Sequence, residues 1–112
     1  MKDDTVYLRH ILDCLDQIEE DLTPDPTSFF KSRTIQNATL RNLQVLAEST
    51  TRLSDEIKAS RPEIPWREIA AFRNILVHDY LGIDLEAVWD IVREDLPDLR
   101  AAVTRLIDQR RE

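Results

Sequence analysis

Apolar residues recur every three or four positions along most of this chain, which is the repeat of an amphipathic α-helix. The first such stretch follows Asp3 or Asp4, either of which can cap a helix, and it ends before "TPDPTS" with its two prolines. The predicted buried face of this helix consists of Leu8, Ile11, Leu12, Leu15, Ile18 and Leu22. The pattern therefore predicts a first helix followed by a short irregular connection.

A second, longer helix is predicted from about Ser32 to Ala59. Its apolar face consists of Ile35, Leu43, Leu46, Leu53 and Ile57. Thr39, Asn42 and Thr50 interrupt this face, so part of it is expected to be polar for a reason. The segment "ASRPEIPW" then breaks the helix, and its Pro65 stands where proline is tolerated, in the first turn of the next helix.

The remaining elements follow the same logic. A third helix is predicted from Trp66 to about Leu81, with Gly82 as its C-terminal cap. Asp84 is the expected N-cap of a further helix, and Pro97 opens a last one. The apolar positions of these two helices are Leu85, Val88, Trp89 and Val92, then Leu99, Val103, Leu106 and Ile107. We therefore predict an all-α, antiparallel bundle of four to five helices that forms one domain over residues 1–112.

Composition agrees with a small helical protein of the cytoplasm. The 112 residues include one glycine and five prolines, and no apolar run approaches the roughly 20 residues that cross a bilayer. The N-terminus opens with acidic residues and lacks the apolar segment of a signal peptide. The single cysteine, Cys14, lies among apolar residues at helical spacing, so we expect a buried side chain without chemistry. A chain of this size can gain buried surface by forming a dimer.

Charge is distributed unevenly. The formal net charge of −7 argues against a general nucleic-acid coat, because nonspecific binding depends on basic residues that neutralise phosphates. Residues 31–73 nevertheless hold eight of the 15 basic residues and only five of the 22 acidic ones. Solvated helix faces explain these counts by themselves. The cationic middle nevertheless leads directly into the most unusual stretch of the chain.

That stretch is "FRNILVHDY", residues 72–80, in which four polar residues occur in a run that otherwise suits a buried helix. At about 100° per residue, Asn74 and His78 share a helix face, and Arg73 and Tyr80 nearly do. Arg73 and His78 instead diverge by about 140°. One helix does not bring these two groups to the same atom, but a symmetric dimer can appose Arg73 of one copy to His78 of the other.

An arginine and a histidine are suited to cleaving RNA without a metal ion. Histidine can remove the proton of a 2′-hydroxyl or protonate the leaving oxygen. Arginine offers a forked donor to the phosphate oxygens as charge develops on them. Asn74 can orient the imidazole of His78, and Tyr80 can stack on a base. The residues alone therefore outline a ribonuclease with no cofactor.

The same residues also have plainer interpretations. A lone histidine in a helix is more often a satisfied, partly buried side chain than a catalyst, and a tyrosine near a helix end usually contributes packing. His10, with only Tyr7 and Cys14 beside it, is expected to be structural or exposed. A metal site is poorly supported, because His78 and Asp79 are adjacent and point apart, and the two histidines lack ligand spacing.

A resemblance favours the catalytic interpretation. "RNILVHDY" resembles the R-x4-H-x-Y signature of the HepT-like branch of the HEPN superfamily. Three further segments are similar to that family in the same order, so that the likeness covers most of the chain: "YLRHILDCLDQIEE" at 7–20, "ATLRNLQVLAES" at 38–49 and "DLEAVWDIVREDLPDLR" at 84–100. The motif helix itself continues the likeness as "IPWREIAAFRNILVHDY" at 64–80. One departure is Ala47, where the family usually has a glycine before the glutamate that corresponds to Glu48.

The resemblance implies a toxin of a prokaryotic toxin-antitoxin pair, a ribonuclease that acts as a homodimer with the motif in the intersubunit cleft. It assigns Arg73 and His78 as the catalytic pair, supported by Asn74 and Glu48. It also implies an MntA-type nucleotidyltransferase antitoxin, which inactivates the toxin by AMPylation of Tyr80 and can join it in a larger hetero-oligomer. Adenylate would add bulk and negative charge two residues from His78, which blocks a cleft for RNA.

Two other classes of function remain open at this point. One is a non-catalytic subunit that binds nucleotide or substrate for a partner nucleotidyltransferase, in which Arg73 holds a phosphate without helping its chemistry. The other is a helical dimerisation module whose polar motif only fixes register. Loss of RNA cleavage on removal of the His78 imidazole separates the ribonuclease from both.

Overall fold

The computed structural model describes residues 4–78 and 84–110, and the side chains of residues 4–73 and 84–110. This part of the chain is mostly helical and contains no strand, which confirms the predicted all-α class. Its elements in chain order are α1 Asp4–Leu22, α2 Ser28–Lys31, α3 Arg33–Thr51, α4 Asp55–Ala59, α5 Trp66–His78, α6 Leu85–Asp90, a π-helical segment Ile91–Asp95 and α7 Leu96–Gln109.

Polar contacts between helix ends define the antiparallel arrangement of α1 and α7. Arg100, early in α7, donates to the carboxylate of Asp16 in the second half of α1 at 2.7 Å. At the other end, Arg110 donates to the hydroxyl of Thr5 at 2.9 Å. The main packing order is α5, α3, α1 and α7, so α3 lies between α5 and α1.

The core is one cluster of buried apolar side chains contributed by every helix. On α1 the prediction holds at five of six positions, whereas Leu12 is only partly buried and Cys14 is buried with them. The predicted positions on α7 are all buried. Phe29 on α2 is fully buried, although the sequence pattern gave no reason to place it in the core. The short α2 thus anchors the connection between α1 and α3.

The prediction of one helix from Ser32 to Ala59 is wrong, because the chain forms two helices, α3 and α4, over this range. Ser54 between α3 and α4 has extended backbone, and its hydroxyl accepts a hydrogen bond from the amide of Ile57 at 3.2 Å. The carboxylate of Asp4 accepts from both the amide of Ser54, at 2.8 Å, and its hydroxyl, at 2.7 Å. A carboxylate from the start of α1 therefore stabilises a helix break that the apolar repeat does not reveal.

The polar interruptions of α3 have local explanations in two of three cases. Asn42 donates to the carbonyl of Ala38 at 3.0 Å, and Thr50 donates to the carbonyl of Ala47 at 2.7 Å. The hydroxyl of Thr39 is buried and has no hydrogen-bond partner in the described part of the chain. A polar side chain that donates a hydrogen bond to a carbonyl of its own helix can be buried without a polar partner on a neighbouring helix.

The last two predicted helices form one continuous helical run. Asp84 caps α6 as predicted, accepting from the amides of Glu86 and Ala87 at 3.0 and 3.2 Å. Pro97 lies in the first turn of α7, as predicted for the last helix. No gap separates α7 from α6, because the amide of Leu96 bonds to the carbonyl of Ile91 five residues earlier and closes a π turn. A proline in the first turn lacks only an amide that the helix can spare.

The π turn aligns the apolar faces of α6 and α7. Val88 and Leu96 are eight residues apart, which would separate them by about 80° on an uninterrupted α-helix. One extra residue in the turn reduces that separation to about 20°. Both side chains are buried in the core, at 3% and 5% exposed. The π segment thus lets α6 and α7 turn the same side of one long helical run toward the core.

The helix predicted for Trp66 to Leu81 begins where expected and is described as far as His78. Residues 79–81 and the predicted cap Gly82 lie outside the described residues. None of the helices in the described ranges combines the length and apolar character needed to cross a bilayer.

The carboxyl group of Asp95 in the π segment makes the stability of the fold depend on pH. Burial raises the pKa of its carboxyl, and the nearby charges of Asp98 and Glu68 raise it further. The folded chain therefore disfavours the charged form. This destabilisation is fully present at neutral pH, above the raised pKa, and disappears as the pH falls below the ordinary aspartate value of 3.8.

We expect Asp95→Asn to raise the Tm at pH 7 by at most a few degrees, because it removes a charge that the folded chain disfavours and that solvent partly screens. Circular dichroism melts at pH 7 and pH 3.5 measure this, and the gain should be lost at the lower pH. The matched control Asp90→Asn, on exposed α6 surface, should leave the Tm near its parent value. A lower Tm for Asp95→Asn at pH 7 would contradict the assignment.

Candidate functional site

A polar groove of about 510 Å³ opens between α1, α3 and α5. Side chains of all three helices line it, namely Tyr7, His10, Arg41, Gln44, Val45, Glu48, Ser49, Arg52 and Arg73. Three arginines share this groove with one carboxylate, in a chain whose formal net charge is −7. The groove therefore concentrates positive charge on an otherwise acidic protein.

The groove follows from the repeat of α3. Arg41, Val45, Glu48 and Arg52 are three or four residues apart, so they form one stripe along the helix. The neighbouring stripe faces the core, with Leu43, Leu46, Ala47 and Thr50 all buried. Because α1 and α5 flank α3, residues from both neighbours reach the polar stripe and close the groove.

Glu48 holds two of the three arginines. One carboxylate oxygen accepts a hydrogen bond from Nη1 of Arg73, across the contact between α3 and α5. The other oxygen accepts from Nη2 of Arg52, one turn further along, at 3.3 Å. The side chains of Arg73 and Glu48 are 47% and 39% exposed, so water screens the pair and its contribution to folding is small. Its main consequence is the orientation of the Arg73 guanidinium.

The charge of Glu48 is secured by the same contacts. The hydrogen bond from Arg73 lowers the pKa of the Glu48 carboxyl, desolvation opposes this, and the bond from Arg52 lowers it again. The carboxylate is therefore negative at every pH above the ordinary glutamate value of 4.5. At neutral pH it can position Arg73, but it has no proton to donate.

Arg73 retains donors for a ligand. A guanidinium carries five N–H donors in a planar fork, and the contact with Glu48 uses only part of that set. With nearly half of its side chain exposed in the groove, Arg73 is placed to donate two parallel hydrogen bonds to a phosphate. The sequence motif singled out this residue, and the structure puts it beside Glu48.

Asn74 and His78 are located by their backbone only. Arg73, Asn74 and His78 belong to the single helix α5, as the sequence predicted. The side chains of Asn74 and His78 are not among those described, and Tyr80 lies outside the described residues. The convergence of Arg73 and His78 in a dimer therefore stays a prediction.

Among the groove residues that the sequence did not single out as site residues, four carry a guanidinium group or an aromatic ring. Arg41 and Arg52 share the stripe of Glu48, and this spacing was visible in the sequence once Glu48 had been chosen. Tyr7 and His10 belong to α1, which only the tertiary packing brings to the groove. His10 is exposed, which is one of the two alternatives predicted for it. Its ring and that of Tyr7 are edge to face, with their centroids 6.0 Å apart.

The remaining titratable candidates have no role in the groove. Cys14 is buried as predicted, and burial, with a smaller effect from Asp13, raises the pKa of its thiol. A thiol in that state is a poor nucleophile. Among the side chains of residues 4–73 and 84–110, no group of three or more His, Cys, Asp or Glu is arranged to hold a metal ion.

The departure at Ala47 leaves the position of Glu48 intact. Ala47 is completely buried and Ser49 is nearly so, whereas Glu48 between them points into the groove. The helix therefore accommodates a methyl group where the resembled family usually has a glycine. The approach of α5 remains close enough for Glu48 to reach Arg73.

Comparison with known proteins finds relatives whose names describe ribonucleases. A "Probable ribonuclease HepT" of Thermococcus cleftensis is 34% identical over 89% of this chain and 92% of its own length. A "Putative RNase MJ1380" of Methanocaldococcus jannaschii is 33% identical over 91% of this chain and 94% of its own length. A "Gamma-glutamylcyclotransferase and putative RNase MJ0434" of the same organism is 36% identical, and this chain spans about half of it, 49%.

No solved structure gives a significant match to the chain. The model of the family described as "Ribonuclease HepT-like" matches residues 11–106, which include α3, α5 and the whole motif. That match covers most of the chain and confirms the resemblance drawn from the motif. The protein therefore belongs to the ribonuclease HepT-like family.

Proposed function

We propose that this protein is a metal-independent endoribonuclease of the cytoplasm, the toxin of a prokaryotic toxin-antitoxin pair, and that Arg73 and His78 are its catalytic residues. The observation that carries the proposal is the Arg73 guanidinium, which is oriented by Glu48 and open to a cationic groove, five residues before His78 on α5. Membership of a family of ribonucleases supports the same activity.

The chemistry requires one base, one acid and stabilisation of the phosphate. An imidazole removes the proton of the 2′-hydroxyl, and the resulting oxygen attacks the adjacent phosphorus. The bond to the 5′-oxygen breaks as a second imidazole delivers a proton to that oxygen. Arg73 donates to the phosphate oxygens as negative charge accumulates on them. The products are a 2′,3′-cyclic phosphate end and a free 5′-hydroxyl.

Two copies of the chain supply these groups together. In one helix Arg73 and His78 diverge by about 140°, so a single copy does not present both to one phosphate. A two-fold dimer with apposed α5 helices provides two histidines, one as base and one as acid. Asn74, one turn from His78, would orient the imidazole. The proposed active site is therefore a cleft between two protomers.

We propose further that an MntA-type nucleotidyltransferase antitoxin neutralises the protein by AMPylation of Tyr80. The tyrosine oxygen attacks the α-phosphate of ATP, and pyrophosphate leaves. The product carries a bulky adenylate and a new negative charge two residues from His78, which excludes an RNA phosphate from the cleft. Support comes from the R-x4-H-x-Y spacing of Arg73, His78 and Tyr80.

We expect His78→Ala and Arg73→Ala to reduce RNA cleavage at least about 100-fold, because each removes a group that acts in the transition state. The measurement is cleavage of a labelled single-stranded RNA in EDTA, with circular dichroism to verify folding. Arg105→Ala, an exposed arginine of α7, is the matched control and should cleave like the parent. Equal cleavage by the His78→Ala protein would refute the proposal.

We expect Glu48→Ala to lower kcat about tenfold or more while KM for RNA stays unchanged or falls. The Arg73 guanidinium loses its anchor, and the groove loses its one negative charge. Steady-state kinetics at pH 7 separate the two parameters, and Glu48→Gln, which keeps a hydrogen-bond acceptor, should recover part of kcat. A rise in KM with unchanged kcat would assign Glu48 to substrate binding instead. Glu20→Gln on exposed α1 surface is the control.

We expect incubation with ATP and an MntA-type nucleotidyltransferase to add adenylate mass to Tyr80 and to stop RNA cleavage. Peptide mass spectrometry locates the modification, and Tyr80→Phe should prevent it. The chain has one other tyrosine, so Tyr7→Phe serves as the matched control and should be modified like the parent. Mass gain on a residue other than Tyr80 would refute the assignment.

A further inference from the structure

We propose that the groove between α1 and α3 is a subsite for the RNA strand that flanks the cleaved bond, with a base against Tyr7 and His10 and phosphates against Arg41 and Arg52. The inference rests on the proposed ribonuclease function and extends it from α5 to two helices outside the motif. Its substrate class is single-stranded RNA.

The aromatic half of the subsite is a corner of two rings. The Tyr7 and His10 ring planes meet at 89° with their centroids 6.0 Å apart. In an edge-to-face pair, one ring covers at most one face of the other, so further ring faces remain for a ligand. His10 is exposed and Tyr7 half-buried on the wall of the groove. Rings in such positions provide stacking platforms for unpaired bases.

The charged half is the arginine row of α3. Arg41 and Arg52 are eleven residues apart, which places them about 16 Å apart along the helix axis. Arg52 shares Glu48 with Arg73, whereas no carboxylate of the described residues lies within 4.0 Å of the Arg41 guanidinium. Arg41 is therefore ready to pair with an anion that comes from outside this part of the protein.

The two halves together fit a nucleic acid better than an acidic protein. RNA combines phosphates with flat bases, and the groove combines guanidinium groups along α3 with aromatic rings on α1. An acidic peptide would use the arginines but would leave the ring corner without a function. Because ring stacking tolerates any base, the subsite should hold RNA without strong sequence preference.

Arg73 connects this subsite to the proposed catalytic centre. It lines the groove together with Tyr7, His10 and Arg41, and it belongs to the same helix as His78. A strand whose scissile phosphate contacts Arg73 can therefore continue over Glu48 onto the arginine row. The groove thus sets the path of the substrate on one side of the cut.

Two kinds of variant separate stacking from charge. In a His78→Ala background, which stops cleavage, Tyr7→Leu and His10→Ala should each weaken binding of a labelled single-stranded RNA at least about fivefold without changing its salt dependence. Arg41→Ala should reduce the slope of log Kd against log salt by about 0.7, as expected for one lost phosphate contact to a single strand. Fluorescence anisotropy in EDTA measures both quantities.

Matched controls and a kinetic readout complete the test. Tyr7→Phe keeps the ring and should restore most of the affinity that Tyr7→Leu loses. Arg105→Ala, outside the groove, should leave affinity and salt slope unchanged. With His78 restored, Tyr7→Leu should raise KM for RNA at least about fivefold at unchanged kcat. Because Tyr7 is half-buried, the exposed His10→Ala variant tests the same subsite with little risk to folding.

The outcomes distinguish this inference from the proposed function. The subsite is refuted if RNA binding and cleavage match the parent in Tyr7→Leu, His10→Ala and Arg41→Ala, even if a protein partner binds these variants less well. That result leaves the proposed ribonuclease function standing. If these variants bind RNA less tightly but the parent cleaves none, the subsite is supported and the ribonuclease is refuted.

Discussion

Helix α3 has to pack against α1 on one side and α5 on the other, and the architecture of the site follows from this double contact. Burial on two sides extends even to polar residues, so that Thr39, Ser49 and Thr50 are all withdrawn from solvent. Only a narrow stripe of α3 remains open, and both neighbouring helices border it. A groove with contributions from three helices is the direct geometric result.

Among the described residues of the groove, Glu48 supplies the carboxylate on which the electrostatics depend. Three guanidinium groups on one surface repel one another, and Glu48 offsets this by bridging Arg52 and Arg73 while leaving the groove cationic. A positive groove on a protein of net charge −7 confines attraction of RNA to one surface. An acidic chain can therefore be a specific RNA enzyme without being a general RNA binder.

Much of this fold was readable from the sequence, because helices with one buried face leave a periodic trace. The α1 and α7 faces and the Asp84 cap were predicted for that reason. The break at Ser54 was not, since its stabilising partner Asp4 lies fifty residues away in the chain. The π turn was missed because one inserted residue barely changes the apolar repeat.

The candidate site likewise has residues that the sequence predicted and residues that only the tertiary structure reveals. Arg73 was identified from residue types and spacing within one helix, where sequence distance reports spatial distance. The contributions of Tyr7 and His10 depend on how α1 approaches α3, which no local pattern encodes. The functions of His78 and Tyr80 rest on the motif and the family, since neither side chain belongs to the described part of the chain.

The ion pair between Glu48 and Arg73 also favours ligands with several linked phosphates over ligands with one phosphate. A carboxylate built into the same chain competes for the guanidinium at the high effective concentration of an intramolecular partner. A solitary anion has to displace it with one contact. A polymer with linked phosphates can hold Arg41 and Arg52 while a further phosphate exchanges with Glu48 at Arg73. We therefore expect free nucleotides and inorganic phosphate to compete poorly with a strand of RNA.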